Sequence, residues 1–211
     1  MKNYSKVFMW MCIGLLVTFV TGFFVSTNEN MLLSIFSSGM YFLLVIAELG
    51  TAIFLTARLH KMSETTAKIS FIIYSFLTGL TFSSIFVVYE LTSIMYVFLV
   101  CSIIFGVFAV IGATTNIDLS KIGTILLMLL IGIIICSIIN IFLANEGFDL
   151  ALCIIGLIVF MIYIAYDMQK IKRLETIYDG DKLAIIGALE LYLDFINIFL
   201  RLLQLFGKSR D

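Results

Sequence analysis

A series of long apolar runs, separated by short polar breaks, constrains this chain most. Seven runs carry few or no charges and cover residues 7–26, 32–57, 69–89, 93–113, 122–144, 148–171 and 183–206. A helix needs about 20 apolar residues to cross a bilayer. A soluble domain that is 62% hydrophobic would leave large apolar patches in water. The sequence therefore predicts an all-α integral membrane protein, with one transmembrane domain of seven helices over residues 1–211.

The charged residues between the runs predict the orientation. Basic residues lie at the N-terminus and in the loops after the second, fourth and sixth runs, whereas the loops after the first, third and fifth carry acidic residues only. Cytoplasmic loops of membrane proteins are enriched in lysine and arginine. We therefore expect a cytoplasmic N-terminus. The basic residues concerned are Lys2, Lys6, Arg58, Lys61, Lys68, Lys121, Lys170, Lys172, Arg173 and Lys182.

The last run carries polar residues at a helical spacing. They recur every third or fourth position, which places them on one face of the helix. We expect this helix to be buried in the bundle with its polar stripe toward a polar interior; the alternative is an amphipathic helix in the membrane surface. A full crossing is favoured over a re-entrant helix. The stripe consists of Glu190, Asp194, Asn197, Arg201, Gln204 and Lys208.

Three carboxyl groups are predicted to lie at similar depth within the membrane. Asp167 lies about two turns before the cytoplasmic end of its run, and Asp194 lies some three turns into the next run from the same side. Glu48 precedes the cytoplasmic end of the second run at a comparable level. An ionised side chain at the centre of a membrane helix costs about 2.5–3.5 kcal/mol. These carboxyls therefore require a proton, a cationic partner or a bound cation.

Two interpretations of these carboxyls stay open on the residues alone. A close pair of carboxyls ionises one at a time and shares a proton, which suits cation passage or proton sensing. Alternatively, the pair only fixes helix packing through hydrogen bonds. Arg58 either latches onto an internal carboxylate or anchors its helix in the headgroups. Asn140, Thr78 and Thr81 are expected to make hydrogen bonds between helices.

Enzymatic motifs are missing from the sequence. It contains no HExxH or GxGD motif, and its single histidine lies outside the apolar runs. The four cysteines are scattered singly, without metal-ligand spacing. We therefore expect a protein that is not an enzyme and has no cofactor.

Several stretches of the chain resemble the Bax inhibitor-1 family, the transmembrane Bax-inhibitor-motif proteins, in their bacterial YetJ- and YccA-like branch. The resemblance spans the second to seventh helices, and the last two stretches are the most specific. The stretches are YSFLTGLT at 74–81, GATTNIDLSKIG at 112–123, INIFL at 139–143, YIAYDMQKI at 163–171 and LYLDFIN at 191–197.

The resemblance implies both a fold and a mechanism. It implies that six helices wrap around a central C-terminal helix. It also implies that Asp167 and Asp194 are the family's paired aspartates, a pH sensor that gates a calcium leak, with Ca²⁺ bound transiently nearby. Arg58 is the nearest match to a basic residue that takes part in gating. The wider set of candidates for an ion path or latch is Glu48, Arg58, Glu190, Asn197 and Arg201.

The expected partners follow from these interpretations. They are the lipid bilayer of the bacterial cytoplasmic (inner) membrane and calcium as the permeant ion, and no nucleic acid. The alternative function is that of a membrane interaction protein without conduction. Such a protein would regulate a membrane-anchored ATP-dependent protease or another membrane partner, as some members of the family do.

Overall fold

The computed structural model describes residues 2–36, 39–178 and 180–210, and these residues form helices without any β-strand. Two short 3₁₀ turns, Leu59–Lys61 and Leu119–Ile122, join the longer elements. The prediction of an all-α fold is confirmed. The helices are α1 (Lys2–Ser26), α2 (Glu29–Phe36), α3 (Met40–Arg58), α4 (Glu64–Val88), α5 (Leu91–Thr114), α6 (Gly123–Leu143), α7 (Glu146–Leu174) and α8 (Gly180–Phe206).

Within the described part of the chain, all of these helices except α2 are long and apolar enough to cross a membrane. The structure differs from the sequence-based segments at the second run, 32–57, which it divides between α2 and α3. Gly39 precedes α3 with a φ of 68°, a left-handed conformation that glycine adopts without steric cost. The break contains no charged residue, so apolar patterning does not reveal it. Ser37 and Ser38 lie outside the described residues.

Polar side chains mark several helix starts. Ser63 accepts a hydrogen bond from the Thr66 N–H at the start of α4, and Asn145 accepts one from the Phe148 N–H at the start of α7. The expectation for Asn140 is wrong, because its side chain bonds the backbone of Asn145 in both directions, at 3.2 Å each. The Asn140 amide therefore closes the α6–α7 turn instead of joining two helices.

The chain divides into two compact units. The first contains the described residues within 1–91, 177–192 and 209–211, and the second contains residues 92–176 and 193–208. The first unit thus holds α1 to α4 with the first half of α8, and the second holds α5 to α7 with the rest of α8. The single transmembrane domain and the central position of the last helix stay predictions.

Burial differs sharply among the long helices. In the most apolar 18-residue stretch of α8, 78% of the residues are buried, compared with 6% in α3 and 11% in the span that contains α6. A helix lying flat in the membrane surface would expose its polar side and bury its apolar side in lipid. The burial of α8 inside the protein therefore favours the buried-helix interpretation.

Contacts within the first unit join the residues at the start of α8, and those after its end, to α4. At its start, Asp181 forms ion pairs with Lys6 of α1 and with Lys68 in the first turns of α4. Beyond its end, the Arg210 N–H donates to the Val88 carbonyl, at 2.8 Å, where α4 ends. These contacts favour a full crossing of the last helix, which stays a prediction.

Candidate functional site

Asp167 and Asp194 are both buried in the second unit. Asp167 lies on α7 and is 6% exposed, and Asp194 lies on the second half of α8 and is 3% exposed. Both residues belong to helices long and apolar enough to cross a membrane. A carboxyl group that is buried in such a helix is costly unless its charge is neutralised.

Arg201 establishes how α7 and α8 pair within this unit. Its guanidinium donates to the Leu152 carbonyl at 3.1 Å and lies 5.8 Å from the centre of the Phe160 ring. A Cβ at Gly156 would lie 2.2 Å from the guanidinium carbon, so the arginine occupies the space that this glycine leaves open. Arg201 thus fastens α8 to α7.

The same pairing predicts the relative height of the two aspartates. Asp194 lies seven residues before Arg201, and Tyr163 lies seven residues after Gly156. Because the helices run in opposite directions, Asp194 comes to the level of Tyr163. Asp167 lies one turn further along α7, about 6 Å away along the axis. The two aspartates are therefore offset by about one helical turn along the paired helices.

Tyr163 is the third polar group near these aspartates. Both carboxyl groups lie within electrostatic reach of its hydroxyl. It precedes Asp167 by one helical turn, which places both side chains on one face of α7. Sequence reasoning did not select Tyr163, although its i−4 spacing from Asp167 was a usable signal.

Two glycines at the ends of the α5–α6 connection contact α7 just before Asp167. A Cβ at Gly112 of α5 would lie 2.3 Å from the Ala165 carbonyl oxygen, so the two backbones are in direct contact. A Cβ at Gly123 would lie 2.5 Å from the Tyr166 hydroxyl oxygen. The two glycines that bound the GATTNIDLSKIG stretch therefore contact the two residues before Asp167.

Gln169 completes this attachment two residues after Asp167. Its side-chain oxygen accepts from the Leu119 N–H at 2.8 Å, and its side-chain nitrogen donates to the Ile117 carbonyl at 2.9 Å. Arg173 donates to the same side-chain oxygen at 3.0 Å. Sequence reasoning missed Gln169, since a glutamine in a helix does not show which loop it binds.

Asp118 gives the same connection its local structure. Its carboxylate accepts hydrogen bonds from the Ser120 hydroxyl at 2.6 Å and from the Ser120 N–H at 3.0 Å. These bonds, the hydroxyl first, lower the pKa of Asp118 below its usual value. The carboxylate starts the 3₁₀ turn Leu119–Ile122 that leads into α6.

Glu48 lies in the first unit, in a different environment. It is half-buried, and the Thr81 hydroxyl of α4 lies 2.7 Å from its Oε2 atom. The prediction of a hydrogen bond between helices is thus confirmed for Thr81, whereas the Thr78 hydroxyl donates to the Tyr74 carbonyl of its own helix at 3.1 Å. No described basic residue forms an ion pair with Glu48.

A buried hydrogen-bond network includes Tyr192 in the same unit. The Tyr192 oxygen lies 2.6 Å from the Thr18 hydroxyl of α1. The Thr18 hydroxyl is 3.0 Å from the Ser75 carbonyl of α4. Two hydroxyls and a backbone carbonyl from three helices thus meet at Thr18.

The remaining residues predicted for an ion path or latch lie at exposed or half-buried positions of α3 and α8. Arg58 is exposed at the end of α3, and Glu190 is half-buried on α8. Asn197 donates to the Leu193 carbonyl of its own helix at 2.8 Å. Across residues 2–36, 39–178 and 180–210, no three His, Cys, Asp or Glu side chains group as metal ligands. A role of these residues in an ion path or latch stays a prediction.

The matches with known proteins extend over the whole chain. The family profile described as "Inhibitor of apoptosis-promoting Bax1" matches residues 1–211. The chain belongs to the Bax inhibitor-1 family. The resemblance seen in the sequence motifs is thereby confirmed.

Several bacterial proteins match this chain over nearly its full length. It is 41% identical to "Inner membrane protein YbhL" of Escherichia coli (strain K12), with 98% of this chain and 91% of the relative covered. A Borreliella burgdorferi protein is 38% identical, over 100% of this chain and 93% of its own. A Rickettsia prowazekii protein is also 38% identical, with 98% and 89% covered. These matches support a membrane protein.

Proposed function

We propose that this Bax inhibitor-1 family protein conducts cations across the bacterial inner membrane, with calcium as the permeant ion and Asp167 and Asp194 as its pH sensor. The observation that carries the proposal is the burial of two carboxyl groups on paired helices, both within electrostatic reach of Tyr163. Two such carboxyls share a proton, and loss of that proton leaves a charge that attracts a cation or changes the helix packing.

The charge of the site suits a divalent ion in passage. Two carboxylates offer hard oxygen ligands, which calcium prefers, but the many ligands of a tight calcium site need more than two side chains. We therefore propose that Ca²⁺ binds near Asp167 and Asp194 only transiently. Under this proposal, the protein has no catalytic residue and no resident cofactor.

Calcium flux into proteoliposomes at a series of pH values tests the proposal. The purified protein should admit calcium above the rate of protein-free vesicles, and the rate should change with pH. Asp194→Asn keeps the shape of the side chain and removes its titration, so the pH response should disappear. Glu146→Gln, at the exposed start of α7, is the matched control and should behave as wild type.

Other outcomes would contradict the proposal in distinguishable ways. A pH response that survives in Asp194→Asn would exclude the aspartate sensor. Equal flux of magnesium and sodium would exclude calcium as the favoured ion. Absence of flux at every pH would favour a membrane interaction protein instead, and co-purification with a membrane-anchored ATP-dependent protease would then support that alternative.

The orientation is part of the same proposal. The basic residues in the loops after α3 and α7 indicate that the starts of α1, α4 and α8 face the cytoplasm. Single cysteines at positions 29 and 68 should therefore be labelled from opposite sides of the membrane. A cysteine at position 209 should be labelled from the same side as position 29, since the tail lies at the end of α4. Labelling of 29 and 68 from one side would end this orientation.

A further inference from the structure

At the Glu48 site in the first unit, one threonine hydroxyl faces two hydrogen-bond acceptors when the carboxylate is ionised. The Thr81 hydroxyl oxygen lies 2.7 Å from Glu48 Oε2 and 2.9 Å from the Thr78 carbonyl oxygen. A hydroxyl carries a single proton, whereas both of these neighbouring atoms are acceptors when Glu48 is ionised. One of the two contacts would then lack a proton.

A proton on Glu48 resolves this conflict. The carboxylic acid donates to the Thr81 oxygen, and Thr81 then donates to the Thr78 carbonyl. The Thr78 hydroxyl donates to the Tyr74 carbonyl of its own helix at 3.1 Å, so the single acid proton is directed to Thr81. Threonines in helices commonly donate to the carbonyl one turn earlier, which leaves their lone pairs free to accept.

Among the described residues, none shows a compensating charge for Glu48. The described titratable groups within its electrostatic reach are the phenols of Tyr74 on α4 and Tyr192 on α8, and both are buried. No described basic residue forms an ion pair with it. An uncompensated carboxylate in a membrane helix is unfavourable. One proton neutralises a single carboxylate completely, whereas a divalent cation would leave an excess positive charge.

We propose that Glu48, with the hydroxyl of Thr81, is a separate proton-binding site that holds one proton at neutral pH. The site is built within the first unit alone, from α3 and α4. It does not depend on calcium flux or on the aspartate pair. The protein would then have a second protonatable site, whose ligand is a single proton.

Infrared spectroscopy of the carboxylic acid C=O stretch tests this assignment. The Asp167→Asn, Asp194→Asn double variant in lipid serves as background, because it removes the two aspartate carboxyls. At neutral pH, subtracting the spectrum of the same protein with Glu48→Gln should leave one carboxylic acid band. Both proteins should elute alike and have the same helical content, so the difference reports the carboxyl group and not folding.

Two further variants test the geometry. Thr81→Val keeps the shape and removes the acceptor, so the Glu48 band should shift to the frequency of a more weakly hydrogen-bonded acid. Thr81→Ser keeps the hydroxyl and should leave the band near its original position. Absence of a Glu48-dependent band at neutral pH would overturn the proposal, as would a band that Thr81→Val leaves unchanged. Failure of the flux assay has no bearing on either result.

Discussion

Glu48 in the first unit and the aspartates Asp167 and Asp194 in the second are all carboxyl groups on membrane-spanning helices, but their neighbours differ. Glu48 contacts a neutral hydroxyl, that of Thr81, which in turn contacts the Thr78 carbonyl of the same helix, α4. The aspartates stand on two different helices and share a phenol, Tyr163, as a neighbour. One site is thus assembled against one helix surface, and the other depends on how two helices pair.

This difference indicates which site should respond to helix packing. The spacing of Thr78 and Thr81 is determined by the backbone of α4 and changes little when helices move. The separation of Asp167 and Asp194 changes with any shift between α7 and α8. A shared proton between two acids is sensitive to that separation. We therefore expect mutations in helix contacts to alter the aspartate site much more than the Glu48 site.

The largest effect is expected from removing either aspartate. Asp167→Asn and Asp194→Asn should each abolish the pH response of calcium flux, because either change ends the sharing of a proton. The two residues act as one unit, so the double variant should be no more altered than either single variant. Flux measured in proteoliposomes over a pH series checks this. Additive effects of the two changes would show that the carboxyls titrate independently.

A smaller effect is expected when the support of Asp167 is disturbed. Gly112→Ala places a methyl group 2.3 Å from the Ala165 carbonyl oxygen, so α5 and α7 must separate. We expect a loss of about 1–3 kcal/mol in unfolding free energy and a shifted pH midpoint of flux.

Gly106→Ala on the same helix is the matched control, since nothing lies within 4 Å of its added methyl group. Thermal unfolding in detergent and flux measurements compare the two variants. If Gly112→Ala leaves the pH midpoint in place while lowering stability, the α5 contact supports the fold without positioning Asp167.

A modest effect is expected in the hydroxyl network of the first unit. Tyr192→Phe removes the hydroxyl that lies 2.6 Å from Thr18 and keeps the ring. Hydrogen bonds between membrane helices contribute about 0.6 kcal/mol on average, so we expect a loss of that order in unfolding free energy. Tyr96→Phe, at a site 72% exposed, should cause none. Equal stability of the two variants would show that the network adds nothing to folding.

The smallest effect is expected at Asp118 in the connection that leads to Asp167. Its folded-state pKa is lowered by the Ser120 hydroxyl and N–H, so the ionised carboxylate stabilises the native state above its unfolded pKa. This contribution is lost as the pH falls through the folded pKa. Ser120→Ala should therefore lower the thermal stability at neutral pH, and the difference from wild type should vanish in acid. A difference that is the same at all pH values would contradict this origin.

The sequence by itself determined the membrane class, the membrane-spanning helices and the carboxyl candidates. Apolar run length and charge content are local properties, and they are the ones that decide whether a segment partitions into a bilayer. The rarity of charges in such runs also makes Asp167, Asp194 and Glu48 conspicuous without any structure. The division of 32–57 was hidden, because Ser37, Ser38 and Gly39 carry no charge.

Only the tertiary structure decided the partners of these residues. Tyr163 and Gln169 became part of the site through the pairing of α7 with α8 and with the 112–123 connection. Asn140 turned out to bond its own turn, and the Arg210 N–H was found to donate to the Val88 carbonyl at the end of α4. The physical reason is that the polarity of a side chain follows from its residue type alone, whereas its hydrogen-bond partner depends on which helix faces come into contact.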